Sequence, residues 1–247
     1  MKVLQLCHKM PYPPLDGGSQ LINNCTEGLL QNGVSVKVFA LNTTRIPVDE
    51  NLISENYRTR TGLTTVTIDT KIKFQAAATN FLFNKESYFI SRFYSEKVKL
   101  SLQKLLKSES FDIIQLEHLY MCLYIDVIRS YSNAKIILRP QNVEHHVWQQ
   151  YGDKLKNIFK RIFIRINTAR LKKYESSIIK KLDAVIPVSD TDQDFFNSLN
   201  TGIPIKRINM GFNFNSIQDY NFETQYKYFP KAYHLASMDW LPNSEGV

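Results

Sequence analysis

The chain has 247 residues, of which 43% are hydrophobic and 22% charged, and 31 basic against 23 acidic residues give a net charge of +8. This composition excludes a disordered chain, and no uninterrupted apolar stretch is long enough to cross a membrane, so we expect a soluble or peripheral protein. The positive excess suits an anionic ligand, a phospholipid surface or nucleic acid without choosing among them.

The three cysteines, Cys7, Cys25 and Cys122, are odd in number and widely spaced in apolar surroundings. This pattern indicates neither a disulfide framework nor a zinc site and fits a reducing compartment. The short apolar run before His8 does not have the form of a signal peptide. We therefore predict a cytoplasmic location, with peripheral attachment to the inner face of the membrane as an option.

The first predicted unit is a strand at Val3–Leu6, a loop that ends in Gly17-Gly18, a helix that ends at Gly33, and a strand at Val34–Leu41. The paired glycines fall where a strand passes into a helix N-terminus. Free backbone N–H groups and the helix dipole favour an anion such as a diphosphate there, and a glycine lets it approach the main chain. The alternative is that the two glycines only shape a tight turn.

Apolar, β-branched runs then alternate with helical patterns, which predicts an α/β fold with a Rossmann-like parallel sheet flanked by helices. Arg45–Gly62 is polar and aperiodic and is predicted to be a long surface loop. The further predicted strands are Thr64–Ile68, Ile113–Leu116, Lys135–Leu138, Ala184–Val188 and Ile205–Asn209. The further predicted helices lie between Phe81 and Leu106, around Met121–Ile128, from about Lys154 to Lys181, and at Asp190–Leu199.

The C-terminal part has a different character. We predict a domain over residues 1–212, a linker over 213–232, and the start of a truncated second domain over 233–247, which opens with a strand at Tyr233–Met238. Pro242 suits the first turn of a helix, so the chain stops as a new element begins.

Polar residues and glycines follow the predicted strands repeatedly. The carboxyl ends of parallel strands form the ligand-binding edge of such a sheet. These residues are Gly17 and Gly18, Glu117 and His118, Arg139, Asn142, Glu144 and His145, Ser189, and Asn209 and Gly211. His145 and His146 are adjacent and lack the ligand spacing of a zinc helix, so we predict no metal. The abundant Tyr and Phe residues have amphipathic spacing, which favours a core over a base-stacking surface, and we predict no nucleic-acid partner.

The predicted helix Lys154–Lys181 carries ten Lys or Arg residues and one acid, Glu175. It keeps an apolar stripe that includes Phe159, Phe163 and Ile166. Such a helix could lie on anionic lipid. The alternative is a solvated basic face whose apolar stripe packs on the sheet.

The order of these motifs resembles the N-terminal, acceptor-side half of GT-B-fold retaining glycosyltransferases of the group 1 or family 4 type. The matching segments are Pro11–Gly18, Asp112–His118, Arg139–His145, Ala184–Ser189, Asn209–Phe212 and Ser237–Asn243. The resemblance implies one half of a two-domain architecture, with the active site between the halves. It implies a nucleotide-diphosphate sugar as co-substrate, a saccharide or lipid-linked acceptor, and no other cofactor.

By this resemblance, Gly17 and Gly18 approach the donor diphosphate, and Arg139, Asn142, Glu144 and His145 line the acceptor side. Many relatives have a histidine five residues after the aspartate that matches Asp112. Here that position is Glu117 and the next is His118, so the catalytic role falls to either. The paired glutamates of the donor-side domain are absent, so we predict that the isolated chain is inactive. A non-catalytic membrane or partner-binding module, and another GT-B-like sugar-nucleotide enzyme, are the alternatives.

Overall fold

The computed structural model describes residues 1–73, 77, 79–80 and 84–211 of the protein. Residues Met1–Met210 form one compact unit. The predicted linker 213–232 and the predicted strand Tyr233–Met238 lie outside the described residues and stay predictions.

Six strands in the described part form one sheet in the order β3-β2-β1-β4-β5-β6, and every neighbouring pair is parallel. They are β1 (Lys2–Cys7), β2 (Ser35–Thr43), β3 (Thr64–Ile68), β4 (Ile113–Leu116), β5 (Lys135–Leu138) and β6 (Ala184–Val185). The predicted α/β class with a Rossmann-like parallel sheet is confirmed. The strand order reverses between β1 and β4, which makes the carboxyl end of this pair the expected ligand position of the fold.

The described α-helices are α1 (Gly17–Gln31), α2 (Glu55–Thr61), α3 (Tyr88–Ser91), α4 (Glu96–Ser108), α5 (Ile125–Tyr131), α6 (Glu144–Lys154), α7 (Ile158–Ile178) and α8 (Asp190–Ser198). The apolar side chains of β1 and β2 divide between two clusters, as expected for a sheet that is buried on both faces. The smaller cluster contains Ile22 of α1 and Tyr57 of α2. The larger one contains Val98 of α4 and Ile125 of α5. The helices therefore cover both faces of the sheet.

Strands β3, β4 and β5 have the predicted bounds, and α1 ends as predicted. Gly33 follows the last turn of α1 with φ of +73°, a conformation that glycine adopts without a steric penalty. The N–H groups of Gly33 and Val34 donate to the carbonyls of Leu30 and Leu29, each at 3.0 Å, which closes the helix in a Schellman motif.

The predicted surface loop at Arg45–Gly62 is wrong. This segment contains a 3₁₀ turn at Glu50–Leu52 and the helix α2. Ser54 caps α2, since its side chain accepts from the Tyr57 N–H, and Gly62 ends the helix in the left-handed region. The cap residues outweigh the weak periodicity of a short helix.

Three further predicted elements need correction. The strand predicted at Ala184–Val188 is shorter, since β6 covers only Ala184–Val185. The segment Ile205–Asn209 is no regular strand: it makes one parallel bridge, between Ile205 and Val185. The predicted helix Lys154–Lys181 begins only at Ile158, because Leu155–Asn157 separate α6 from α7. Asn157 caps α7, and its side chain accepts from the Lys160 N–H at 3.0 Å.

Candidate active site

Two histidines lie at the point where the strand order reverses. His8 directly follows β1, and His118 lies two residues beyond the end of β4. Their ring centroids are 4.2 Å apart, and the two residues are only 9% and 6% exposed. The fold therefore places two imidazoles at the edge where a doubly wound sheet binds its ligand.

Hydrogen bonds assign the proton position on each ring. His8 Nδ1 lies 3.0 Å from the Glu117 carbonyl, which can only accept, so Nδ1 carries the proton and Nε2 keeps a lone pair. His118 Nδ1 accepts from the Tyr120 N–H at 3.3 Å, and Nε2 lies 2.9 Å from Glu144 Oε1. Both nitrogens of His118 are thus engaged, and Nε2 of His8 is left as the basic nitrogen of the pair.

Glu144 holds His118 in place from the first turn of α6. Its other oxygen accepts from the Tyr120 hydroxyl at 2.9 Å. Burial alone would raise the pKa of Glu144, but its hydrogen bonds with His118 and with the Tyr120 hydroxyl lower it below its ordinary value. An ionised Glu144 therefore orients His118 in the way a carboxylate orients a catalytic or ligating imidazole.

The pKa of His8 is lowered, which favours the neutral imidazole. Burial lowers it well below 6.5, and the neighbouring His118 and Lys9 lower it further. At neutral pH, His8 is therefore an uncharged imidazole with a free lone pair, as a general base requires.

Glu117 lies in a different environment from His118. Its side chain has no exposure and accepts from Gln5 Nε2 at 3.0 Å and from Gln115 Nε2. Arg139 Nη1 lies 3.1 Å from its other oxygen. Burial raises the pKa of Glu117, and the Arg139 charge opposes that shift. The Glu117 carboxylate thus connects β1, β4 and the residue that follows β5.

The N-terminus of α1 follows the same strand as His8. Asp16 caps the helix by accepting from the Ser19 N–H at 2.8 Å, and Lys9 Nζ lies 2.7 Å from the same carboxylate oxygen. A side chain at Gly17 would meet no atom within 4 Å. At Gly18 the added carbon would lie 2.5 Å from Lys9 Nζ. Of the two glycines, Gly17 therefore borders open space, while Gly18 lies under Lys9.

The remaining predicted site residues do not join the histidine pair. His145 Nδ1 lies 2.6 Å from Glu175 Oε2 on α7, and both side chains are buried. Ser189 caps α8, where its hydroxyl donates to Asp192 at 2.7 Å. Three other predicted residues are exposed, namely Asn142, Asn209 and Gly211. Of the predicted acceptor-side residues, only Glu144 contacts His118.

The structure adds residues that sequence reasoning missed. His8 and Lys9 directly follow the first strand, which was the signal available for them. Tyr120 lies in the 3₁₀ turn after His118, and Arg92 follows α3 with its Nε and Nη1 buried. Within the described part of the chain these two nitrogens have no hydrogen-bond partner. The Arg92 charge contributes to lowering the pKa of Glu144, which places the guanidinium near this site.

Among the described residues, no group of three His, Cys, Asp or Glu side chains is arranged to hold a metal ion. None of the helices within the described ranges has the length and apolar character needed to span a bilayer.

No protein-family model and no curated protein matches the chain. Solved structures that match include UGT73P12 of Glycyrrhiza uralensis, complexed with glycyrrhetinic acid 3-O-monoglucuronide, at 13% identity and a TM-score of 0.44 over 85% of this chain and 48% of that one. Another is TcCGT1 in complex with UDP, at 10% identity and a TM-score of 0.49 over 90% of this chain and 53% of that one. The chain spans about half the length of each of these two structures.

Proposed function

We propose that the chain is the acceptor-side half of a GT-B glycosyltransferase, which transfers a sugar from a nucleotide-diphosphate sugar to a saccharide or lipid-linked acceptor. The observation that carries this proposal is the His8–His118 pair at the strand-order reversal, next in sequence to Lys9, which binds Asp16 at the N-terminus of α1. The basic nitrogen of His8 and the N-terminus of α1 both follow β1. Transfer from a diphosphate to a hydroxyl needs a base and a group that stabilises the leaving anion, and these two can serve as such.

The donor diphosphate would lie at the start of α1. Gly17 borders open space, so phosphate oxygens can approach its backbone N–H. Lys9 lies at the same helix end, where its ammonium pairs with the Asp16 carboxylate at 2.7 Å. Negative charge that develops on the leaving diphosphate is stabilised by such preorganised donors.

The acceptor hydroxyl would donate to His8 Nε2, the nitrogen with the free lone pair. His118 would position His8 and the sugar through its ring, and Glu144 and Tyr120 would hold His118. In this assignment His118 lies in the site, and Glu117 is a structural carboxylate that never meets the substrate.

The unpaired nitrogens of Arg92 favour an acceptor that carries negative charge. Arg92 is half-buried and interacts with Tyr120, but its Nε and Nη1 are buried without a hydrogen-bond partner among the described residues, and a phosphate or carboxylate would pair with them. The diphosphate of a lipid-linked acceptor has this chemistry. Arg92→Gln should then raise KM for a phosphate-bearing acceptor more than for a neutral saccharide.

The test is a transfer assay on the complete protein that carries this chain, with a panel of nucleotide sugars. We expect transfer to fall by about 10²–10⁴ with His8→Gln and to be strongly reduced with His118→Asn, while His146→Gln, on the exposed side of α6, acts as the control. A single displacement with His8 as the base inverts the anomeric carbon, whereas the resemblance implies retention, and the anomeric configuration of the product, read by NMR, decides between the two.

Calorimetry on the isolated chain completes the test. We expect weak nucleotide-sugar binding and no turnover, because the donor-side contacts belong to the other half. Transfer at the parental rate by both histidine variants, or micromolar donor affinity with turnover by the isolated chain, would contradict the proposal.

A further inference from the structure

The turn between α6 and α7 exposes large apolar side chains that a folded chain ordinarily buries. We define the hairpin tip as Tyr151, Ile158, Phe159 and Ile162. These residues are 42%, 54%, 79% and 45% exposed, respectively. Scattered exposed apolar residues are normal, but here three of them crowd the first two turns of one helix.

The exposed side chains are not the ones that attach α7 to the domain. The buried positions of this helix recur at helical spacing and are Ile164, Asn167, Thr168, Leu171, Glu175 and Ile178. Ile158 and Ile162 are four residues apart and lie on the opposite side of the helix, with Phe159 three residues before Ile162. The start of α7 is therefore apolar on two sides, and only one of them packs inside the protein.

Side-chain hydrogen bonds to the backbone hold the turn at the hairpin tip. Asn157 caps α7, and Arg161 donates from Nε and Nη2 to the Leu155 carbonyl at 3.0 and 2.5 Å. These bonds fix the turn and the first helical residues, so Ile158 and Phe159 are presented outward on an ordered backbone.

Positive charge surrounds the apolar tip. Lys154, Lys156, Lys160, Arg161 and Arg165 lie in the segment 154–165, which contains no acidic residue. Asp153 pairs with Arg165 at 3.2 Å. Lys156 and Lys160 are exposed, and neither forms an ion pair in the described part of the protein.

We propose that the hairpin tip docks on an anionic phospholipid membrane. Ile158, Phe159 and Ile162 enter the boundary between headgroups and acyl chains, while Lys156 and Lys160 contact lipid phosphates. Exposed apolar side chains with lysines next to them are the combination that binds this boundary, since each lysine can extend its ammonium group to the headgroups.

The test is sedimentation of the chain with vesicles of phosphatidylcholine alone and of phosphatidylcholine mixed equally with phosphatidylglycerol. We expect binding to the anionic vesicles only, and weaker binding as salt is added. Phe159→Ser with Ile162→Ser should lower the partition coefficient by about tenfold or more. Leu100→Ser, on α4 and 56% exposed, is the matched apolar control and should bind as the parent does.

A charge-matched pair separates local contact from net charge. Lys156→Gln with Lys160→Gln should weaken binding to anionic vesicles several-fold, whereas Lys97→Gln with Lys104→Gln on α4 removes the same charge and should change it little. All positions are exposed, so each variant should melt as the parent does.

Three results would overturn the proposal: no sedimentation of the parent chain, equal binding to both vesicle types, or parental binding by the Phe159 and Ile162 double variant. If that variant instead turns a self-associating parent into a monomer and leaves vesicle binding unchanged, the tip is an interface between copies. None of these measurements needs a sugar donor, so the result is independent of the proposed glycosyl transfer.

Discussion

His8 and His118 occupy equivalent positions on neighbouring parallel strands. Leu6 of β1 pairs with Leu116 of β4, and each histidine lies two residues beyond its member of that pair. The contact between the two rings, 4.2 Å from centroid to centroid, therefore follows from the register of β1 against β4. A distance that the sheet sets is kept without help from a flexible loop.

The first prediction concerns the basic nitrogen. His8→Gln removes the free lone pair at Nε2 but keeps a side-chain N–H for the Glu117 carbonyl, so transfer should fall by about 10²–10⁴, the range for a lost general base. Steady-state kinetics on the complete protein measures this, and thermal melts of parent and variant show that the fold is kept. An unchanged kcat would remove His8 from the chemistry.

The second prediction is a pH dependence of stability. The pKa of His8 is lowered well below 6.5 in the folded protein, so the unfolded chain binds a proton there that the folded chain does not. The resulting stability is present above pH 6.5 and is lost as the pH falls below it.

Urea unfolding at about pH 7.5 and about pH 5.5 measures this effect. The parent should lose more stability between the two values than His8→Gln does, because the variant has no imidazole to protonate at this position. Equal losses in the two proteins would mean that the pKa of His8 is the same in the folded and unfolded states.

The third prediction concerns the buried carboxylate. Glu117→Ala leaves the Arg139 guanidinium buried without its partner and should cost about 3–5 kcal/mol of unfolding free energy. Asp153→Ala, which breaks the exposed pair with Arg165, is the control and should change stability little. Urea titrations of both variants measure this. Equal small losses of unfolding free energy would show that Glu117 does not stabilise the fold.

The fourth prediction tests the diphosphate position. Gly17→Val and Gly28→Val both place a valine on α1 where an added carbon meets no atom within 4 Å. Both should melt as the parent does, but only Gly17→Val should reduce transfer, because its side chain enters the space at the helix N-terminus. Equal activity of the two variants would mean that the glycine pair only shapes a turn. Gly18→Val should also reduce transfer far more than stability, although it must first displace the Lys9 and Gln141 side chains.

The sheet was predictable because buried parallel strands have a strong local signal. Thr64–Ile68, Ile113–Leu116 and Lys135–Leu138 are short β-branched runs, and the structure keeps those bounds. Helix α2 was missed because seven residues hold little periodicity, although Ser54 and Gly62 gave cap signals at its two ends.

The site was only partly predictable. The sequence places Glu117 and His118 on opposite sides of an extended segment, but which side is interior depends on partners far along the chain, such as Gln5 and Arg139. The pairing of His145 with Glu175 depends on how α6 packs on α7, which no local pattern encodes.

The bond between Glu117 and Arg139 also has a consequence for how this sequence can evolve. A single replacement of either residue passes through an unpaired buried charge, whose cost of about 3–5 kcal/mol is a large part of the 5–15 kcal/mol typical of a folded domain. Exchange of both residues for apolar ones avoids that intermediate cost. Lineages that descend from this chain should therefore keep both residues or lose both, and the two columns of an alignment should vary together.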